Sequence, residues 1–255
     1  MTSDAQQPDP NEPRARHGGE LVFRHRLTTR LWHWINAVTI FVLLMSGLMI
    51  SNAHPQLYWG VYGANFDRPW LRLPRFPGWA TIPSTYNLAL ARHWHLFFAW
   101  VLAFGLLAFL LASLWNRHLR RDLTLTRAEV SPAHLWQDVK DHLRLKFPTG
   151  QEALSYNPLQ KITYVLVIFV LIPLLILTGT GLSPGMNAVL HWPVELMGGR
   201  ASVRSIHFIS AAAIALFIAV HLVLVVLAGP WNEVRSMITG RYRVPPDPRP
   251  TEEAA

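Results

Sequence analysis

Twelve histidines and no cysteine set the side-chain chemistry that this 255-residue chain can offer. Without cysteine there is no c-type haem attachment, no iron–sulfur cluster, no thiolate zinc site and no disulfide, so imidazole is the obvious ligand for any metal. Five histidines, His33, His93, His95, His207 and His221, lie in or against long apolar runs, and His25 stands just before the first of them. His17, His54, His118, His134, His142 and His191 fall in tails or loops and are read as solvated or structural. A polar ring in hydrocarbon is costly unless it has a partner, so whatever the five bind should be close to the function. In the last run, "VRSIHFISAAAIALFIAVHLVLVVLAG", His207 and His221 are fourteen residues apart. At about 100° per residue they project from one helix face to within about 40°, at two depths about 21 Å apart.

The elements that must position these rings follow from composition. Apolar residues make up 51% of the chain and charged residues 15%, far from the balance of a soluble domain. Four uncharged runs, 31–50, 96–114, 162–182 and 206–228, each approach the ~20 residues that a bilayer core requires, which predicts four transmembrane helices. Trp32, Trp34, Trp94, Trp115 and Trp231 stand near the ends of these runs, where the membrane–water interface favours amphipathic rings. Some thirty residues precede the first run and no small-x-small site follows it in the usual place, so it is expected to remain as a helix. The expected fold is all-α, an integral membrane four-helix bundle. Its helices cover about 30–51, 92–115, 160–182 and 203–228 within a domain over 21–243, flanked by disordered tails over 1–20 and 244–255.

The net charge of +8 follows this topology rather than suggesting nucleic acid. Seventeen Lys and Arg lie on the side that carries both termini and the loop between the second and third runs, against six on the other. The positive-inside rule therefore places both termini in the cytoplasm. On the far side, the segment 51–91 is long and rich in Pro and aromatics, which suits an ordered surface, for a partner or folded against its own helices. On the near side, "SPAHLWQDVKDHLRLKF" opens with Ser131 as a possible N-cap and Pro132 behind it, then repeats Leu135, Val139 and Leu143 at helical spacing. With Trp136, Lys140, Arg144 and Lys146 it reads as an interfacial strut without chemistry.

With both termini inside, the topology makes two pairs: His207 with His93 or His95 towards the outside, and His221 with His33 towards the cytoplasm. Two histidines facing each other from different helices can hold one haem iron as axial ligands, given a flat apolar slot for the porphyrin. Arg92 and Arg204 outside, and Arg24, Arg26 and Arg30 inside, are placed to pair with haem propionates or to anchor headgroups. His33 is two residues into its run whereas His221 is seven from the end of its own. That is a depth mismatch of ~7 Å unless the first helix starts earlier or is tilted. His93 and His95 are about 200° apart around a helix, so one of them at most faces the haem, and spacing does not choose.

The stretches "RHRLTTRLWHWINAVTIFVLLMSGLMI", "ARHWHLFFAW", "YNPLQKITY", "ILTGTGLSP", "RSIHFISA" and "VHLVLVVLAGPWNEVRSMITGRY" resemble the bacterial di-haem cytochrome b561 family. That family includes the membrane subunits of nickel–iron hydrogenase, formate dehydrogenase and thiosulfate reductase. The resemblance implies His33 and His221 as ligands of a cytoplasmic b haem and His95 and His207 as ligands of an outer one, with His93 a neighbour and no ligand from the third helix. It implies a multi-pass protein of the bacterial cytoplasmic (inner) membrane that passes electrons between the quinone pool and an extracytoplasmic oxidoreductase, molybdopterin-dependent before hydrogenase. It also implies quinone exchange near the cytoplasmic haem, where His25, Arg26, Lys161 and Tyr164 are the groups able to hydrogen-bond a quinone carbonyl. The rival readings are a haem-free transporter or proton relay built on the buried histidines, and a structural anchor, which leaves the imidazoles unexplained.

Overall fold

The computed structural model describes residues 19–63, 67–115, 136, 140 and 158–244. The strut expected over 131–147 lies outside the described residues except for Trp136 and Lys140.

Among the described residues four helices are long and apolar enough to cross a membrane: span one, Leu27–Ala53; span two, Leu88–Trp115; span three, Pro158–Leu182; and span four, Arg200–Ala228. The protein is an all-α membrane bundle. Span one begins at Leu27, ahead of its uncharged run, because "LTTR" carries the helix out of the apolar stretch before the chain turns. Span three contains a wider π-type turn, Val167–Leu171, just before Pro173. Proline has no N–H to return to the preceding turn and its ring crowds the carbonyl there, which the wider turn relieves.

Spans one and two pack along their lengths as one antiparallel hairpin, spans three and four as another, and far fewer contacts cross between the hairpins. Where all four meet, at mid-depth, Leu102, Leu106, Val167, Ile172 and Ile214 form a buried apolar core. The other span side chains are mostly half-buried or exposed, as the outer faces of a lipid-embedded bundle must be.

One end of the bundle is closed by a ribbon. Strand β1, Leu21–Phe23, pairs antiparallel with β4, Arg241–Arg243, placing Val22 opposite Tyr242. Val22, Tyr242 and Val244 form a small buried cluster. Gly19 and Val244, expected in the tails, extend the pairing, since the Gly19 amide donates to the Val244 carbonyl at 2.8 Å and the Val244 amide to Glu20 at 3.0 Å. A short helix, Pro230–Thr239, leads from span four into β4. At Gly240, with φ +80°, a Cβ would lie 2.8 Å from the His25 carbonyl oxygen, so only glycine allows the approach to span one.

The other end is closed by the 51–87 segment, whose strands β2, Gln56–Leu57, and β3, Leu71–Arg72, form a second small ribbon. The segment folds against its own helices. Ser202 accepts from the Gly60 amide at 2.7 Å and Ser205 accepts from the Trp70 indole at 2.9 Å, while the Ser205 hydroxyl donates to the Tyr58 carbonyl at 2.6 Å. Gly199, with φ +113°, permits this stitching, because a Cβ there would lie 2.4 Å from Cα of Val61. Trp59, Tyr62, Trp79 and Tyr86 nonetheless stay exposed.

Candidate functional site: two facing histidine pairs

The gap between the hairpins holds the chemistry. From span two His95 faces His207 of span four, with ring centres 6.2 Å apart and planes 65° to each other. At the opposite end His33 of span one faces His221 of span four, with ring centres 6.4 Å apart and planes at 58°. The first is the loop-end pair and the second the ribbon-end pair. Because span one begins at Leu27, six residues before His33, that ring meets His221 without the depth mismatch its apolar run suggests. His93 is exposed and is brought to neither pair.

These separations fit a metal held between two rings. A metal–imidazole bond of about 2 Å and a ring radius of about 1.1 Å put opposed ring centres about 6.3 Å apart. No group of three or more His, Cys, Asp or Glu converges among the described residues. Two opposed imidazoles complete an iron's coordination when a porphyrin supplies the other four nitrogens. The donor set suits haem better than a protein-only cage.

The loop-end rings are oriented by hydroxyls. Ser46 of span one lies 3.0 Å from Nδ1 of His95, and its Oγ donates to the Val42 carbonyl at 2.6 Å. Thr178 of span three lies 2.8 Å from Nδ1 of His207, and its Oγ1 donates to the Leu174 carbonyl at 2.7 Å. Each hydroxyl is followed by a glycine against which the same ring rests: Cβ atoms added at Gly47 and Gly179 would lie 3.5 and 3.7 Å from Cε1 of His95 and His207. These four residues were invisible to reasoning built on ligands. Their signal is a small hydroxyl beside a glycine within an apolar run, "LLMSGLM" and "LILTGTG".

The ribbon-end pair is held by rings and surrounded by cations. Trp34 meets His33 edge-on, with centres 5.2 Å apart, and Phe217 stacks on His221 at 5.9 Å. His33 Nδ1 and Arg30 Nε are buried without hydrogen-bond partners, two nitrogens that a carboxylate-bearing group or water would satisfy. Arg30 also donates to the Ile238 carbonyl, and Trp34 to Met237 at 3.1 Å, which ties the short helix to span one. Arg24 lies over the Tyr242 ring at 4.3 Å and 3.7 Å from Glu233. The His25 pKa is pushed down to about 4 by burial first, then by Arg24, His33 and Arg30, so this ring stays neutral beside its cationic neighbours. Arg26 is exposed, and Lys161 and Tyr164 are half-buried at the start of span three.

At the loop end, one terminal nitrogen of Arg204 donates to the carbonyls of both His54 and Gln56, which ties it to the loop. His54 titrates below its usual range, through burial and then through the charges of Arg204 and Arg92, which places both arginines at that end. Arg92 itself is exposed.

Four membrane-spanning helices with opposed histidines in the gap between two hairpins define a membrane b-type cytochrome. The chain belongs to the prokaryotic cytochrome b561 family, whose family model matches residues 24–240. It is 28% identical over 215 residues to YedZ1 of Azospira oryzae, named as a protein-methionine-sulfoxide reductase subunit, covering 82% of this chain and 92% of that one. It is 26% identical over 231 residues to a probable Ni/Fe-hydrogenase B-type cytochrome subunit of Cupriavidus necator, covering 84% and 83%. To YdhU of Escherichia coli, named as a cytochrome, it is 25% identical over 232 residues, covering 88% and 76%. No solved structure matches the chain. The protein is thus a multi-pass bacterial membrane protein that binds b-type haem and serves electron transfer.

Proposed function

We propose that the chain is the di-haem electron-transfer subunit of a membrane oxidoreductase, with one b haem between His33 and His221 and another between His95 and His207. The observation that carries this reading is the separation of both ring pairs, 6.2 and 6.4 Å, each the span of two imidazoles about one metal. When bound, each haem supplies a one-electron iron couple. The chain holds both rings of each pair from different helices and fills the mid-depth core between the pairs with apolar side chains that exclude water. In this reading the ribbon end faces the cytoplasm, as the excess of basic residues on that side requires. Arg30 and Arg24 there, and Arg204 and Arg92 at the loop end, offer charge to haem propionates.

Quinone exchange belongs at the ribbon end, where His25, Arg26, Lys161 and Tyr164 are the candidate hydrogen-bonding groups. The loop end, with its exposed Trp59, Tyr62 and Trp79, receives an extracytoplasmic redox subunit, a molybdopterin-dependent oxidoreductase before a hydrogenase. The reductase and hydrogenase subunits among its relatives support such a partner. A haem-free proton relay would need polar groups from one pair to the other, and Leu102, Leu106 and Ile214 stand between them.

The test is the absorption spectrum of the purified full chain with a haem-to-protein ratio. Two b haems per chain are expected. Colourless protein from haem-replete cells would overturn the reading. One haem per chain would remove one of the two pairs, and loss of haem in His93→Ala but not His95→Ala would overturn the loop-end assignment.

A further inference from the structure

Helix three contributes no histidine, yet it touches the loop-end site as closely as helix one does. Ser46 on span one and Thr178 on span three are both fully buried at 0% exposure. Each is back-bonded to the carbonyl four residues earlier, each meets Nδ1 of an imidazole from the other helix of its own hairpin, and each precedes a glycine beside which that ring lies. The same three-part construction is built twice, from unrelated sequence, around one pair of rings. Nothing equivalent meets the ribbon-end pair among the described residues, where His33 Nδ1 has no partner.

Hydrogen-bond accounting assigns the protons. A carbonyl can only accept, so at 2.6 Å from the Val42 oxygen and 2.7 Å from the Leu174 oxygen the hydroxyl hydrogens of Ser46 and Thr178 point to those carbonyls. Each hydroxyl oxygen is then left as an acceptor, and Nδ1 of His95 and of His207 must be the donor, with the Leu43 and Leu175 carbonyls beside each hydroxyl as further acceptors. The tautomer with Nδ1–H leaves Nε2 with its lone pair free, the state needed to ligate a metal. Acceptance of the Nδ1 proton also raises the basicity of the ring, and a more basic ligand favours the ferric over the ferrous iron.

We propose that Ser46 and Thr178 are positioning residues of the loop-end haem: they fix the tautomer and rotation of its two ligands and hold its reduction potential below the value it would take without them. The proposal rests on the di-haem reading and adds to it a reason for the two sites to differ in potential.

The experiment is a spectroelectrochemical titration of the full-length protein, with the haem count taken first and the low-spin ferric signals recorded by electron paramagnetic resonance. The variants are Ser46→Ala, Thr178→Val and the pair combined. Thr180→Val is the control, since Thr180 is back-bonded to Leu177 at 2.7 Å on the same helix and reaches neither ring. His207→Ala identifies which component belongs to the loop end. The expected result is two haems in every Ser46 and Thr178 variant, with the loop-end component shifted upwards by about three- to tenfold in its equilibrium constant, tenfold being about 59 mV for a one-electron couple. The loop-end ferric signal should move with it as the rings rotate, while Ser46→Thr and Thr178→Ser, which keep an acceptor, restore both. Unchanged potential and signal in the double variant, or an equal shift in Thr180→Val, would overturn the proposal. Should Ser46→Ala lose the haem outright, Ser46→Thr must retain it, and loss in both would count against a role for the acceptor. A wild-type protein with fewer than two haems is read by the count alone and sinks the di-haem reading instead.

Discussion

The two histidine pairs share one helix, nearly one separation and nearly one tilt between rings, yet they are built differently. At the loop end the rings are seated on hydroxyl–glycine steps and locked by hydrogen bonds, beneath a loop stitched to Ser202 and Ser205. At the ribbon end the rings are held by aromatic packing from Trp34 and Phe217, with Arg30, Arg24 and His25 close by and buried nitrogens still unmatched. Hydrogen bonds fix orientation to within a narrow angle, whereas ring packing tolerates rotation. The comparison teaches that a site locked by hydrogen bonds and one held by ring packing can both be made from histidines on one face of a helix.

The largest effect should come from the proposed ligands. His207→Ala is expected to halve the haem count by emptying the loop end and His221→Ala to halve it at the ribbon end, read by a pyridine haemochrome assay with the redox titration showing which component is lost. Loss of both components from either single variant would mean that the sites are not independent.

Next is the seat at the loop end. A Cβ at Gly47 would make an ordinary contact with the His95 ring at 3.5 Å, so Gly47→Ala should bind haem normally. Gly47→Val adds branches beyond that distance and should weaken loop-end haem by about tenfold or more, on the scale of lost ligand support. Equal occupancy in the two variants, measured by haem titration of the apoprotein, would show that the ring does not need its seat.

A smaller effect is expected from Phe217→Leu, which keeps the apolar bulk and removes the ring stacked on His221. Loss of a stacked aromatic is worth about 0.5–1.5 kcal/mol, so ribbon-end haem affinity should fall by roughly threefold to tenfold while the loop end is unaffected. Smallest in haem affinity is Arg30→Gln, which removes the donor to the Ile238 carbonyl and one positive charge beside His33. It should lower the ribbon-end potential relative to the loop end and cost about 1–2 kcal/mol of thermal stability in detergent. A change confined to the loop-end component would break the assignment of charge to the ribbon end.

Much of this was legible from the chain alone, and the exceptions share a cause. The spans and the common face of His207 and His221 follow from run length and the helical period, both local properties. The two ribbons are too short to announce themselves in sequence, and each depends on a partner strand far along the chain. The bonds from one nitrogen of Arg204 to the carbonyls of His54 and Gln56 were not legible either, because they form only when the 51–87 segment folds back over span four.

The sequence by itself determined that this is a four-span bundle with imidazoles at two depths, since hydrophobic length and angular period are written residue by residue. Only the tertiary structure decided that His95 rather than His93 turns towards His207, that an early start to span one brings His33 level with His221, and that Ser46 and Thr178 stand behind the loop-end rings. Each of these depends on the rotation and sliding of one helix against another, and those two coordinates are set by packing across the bundle rather than by any stretch of the chain.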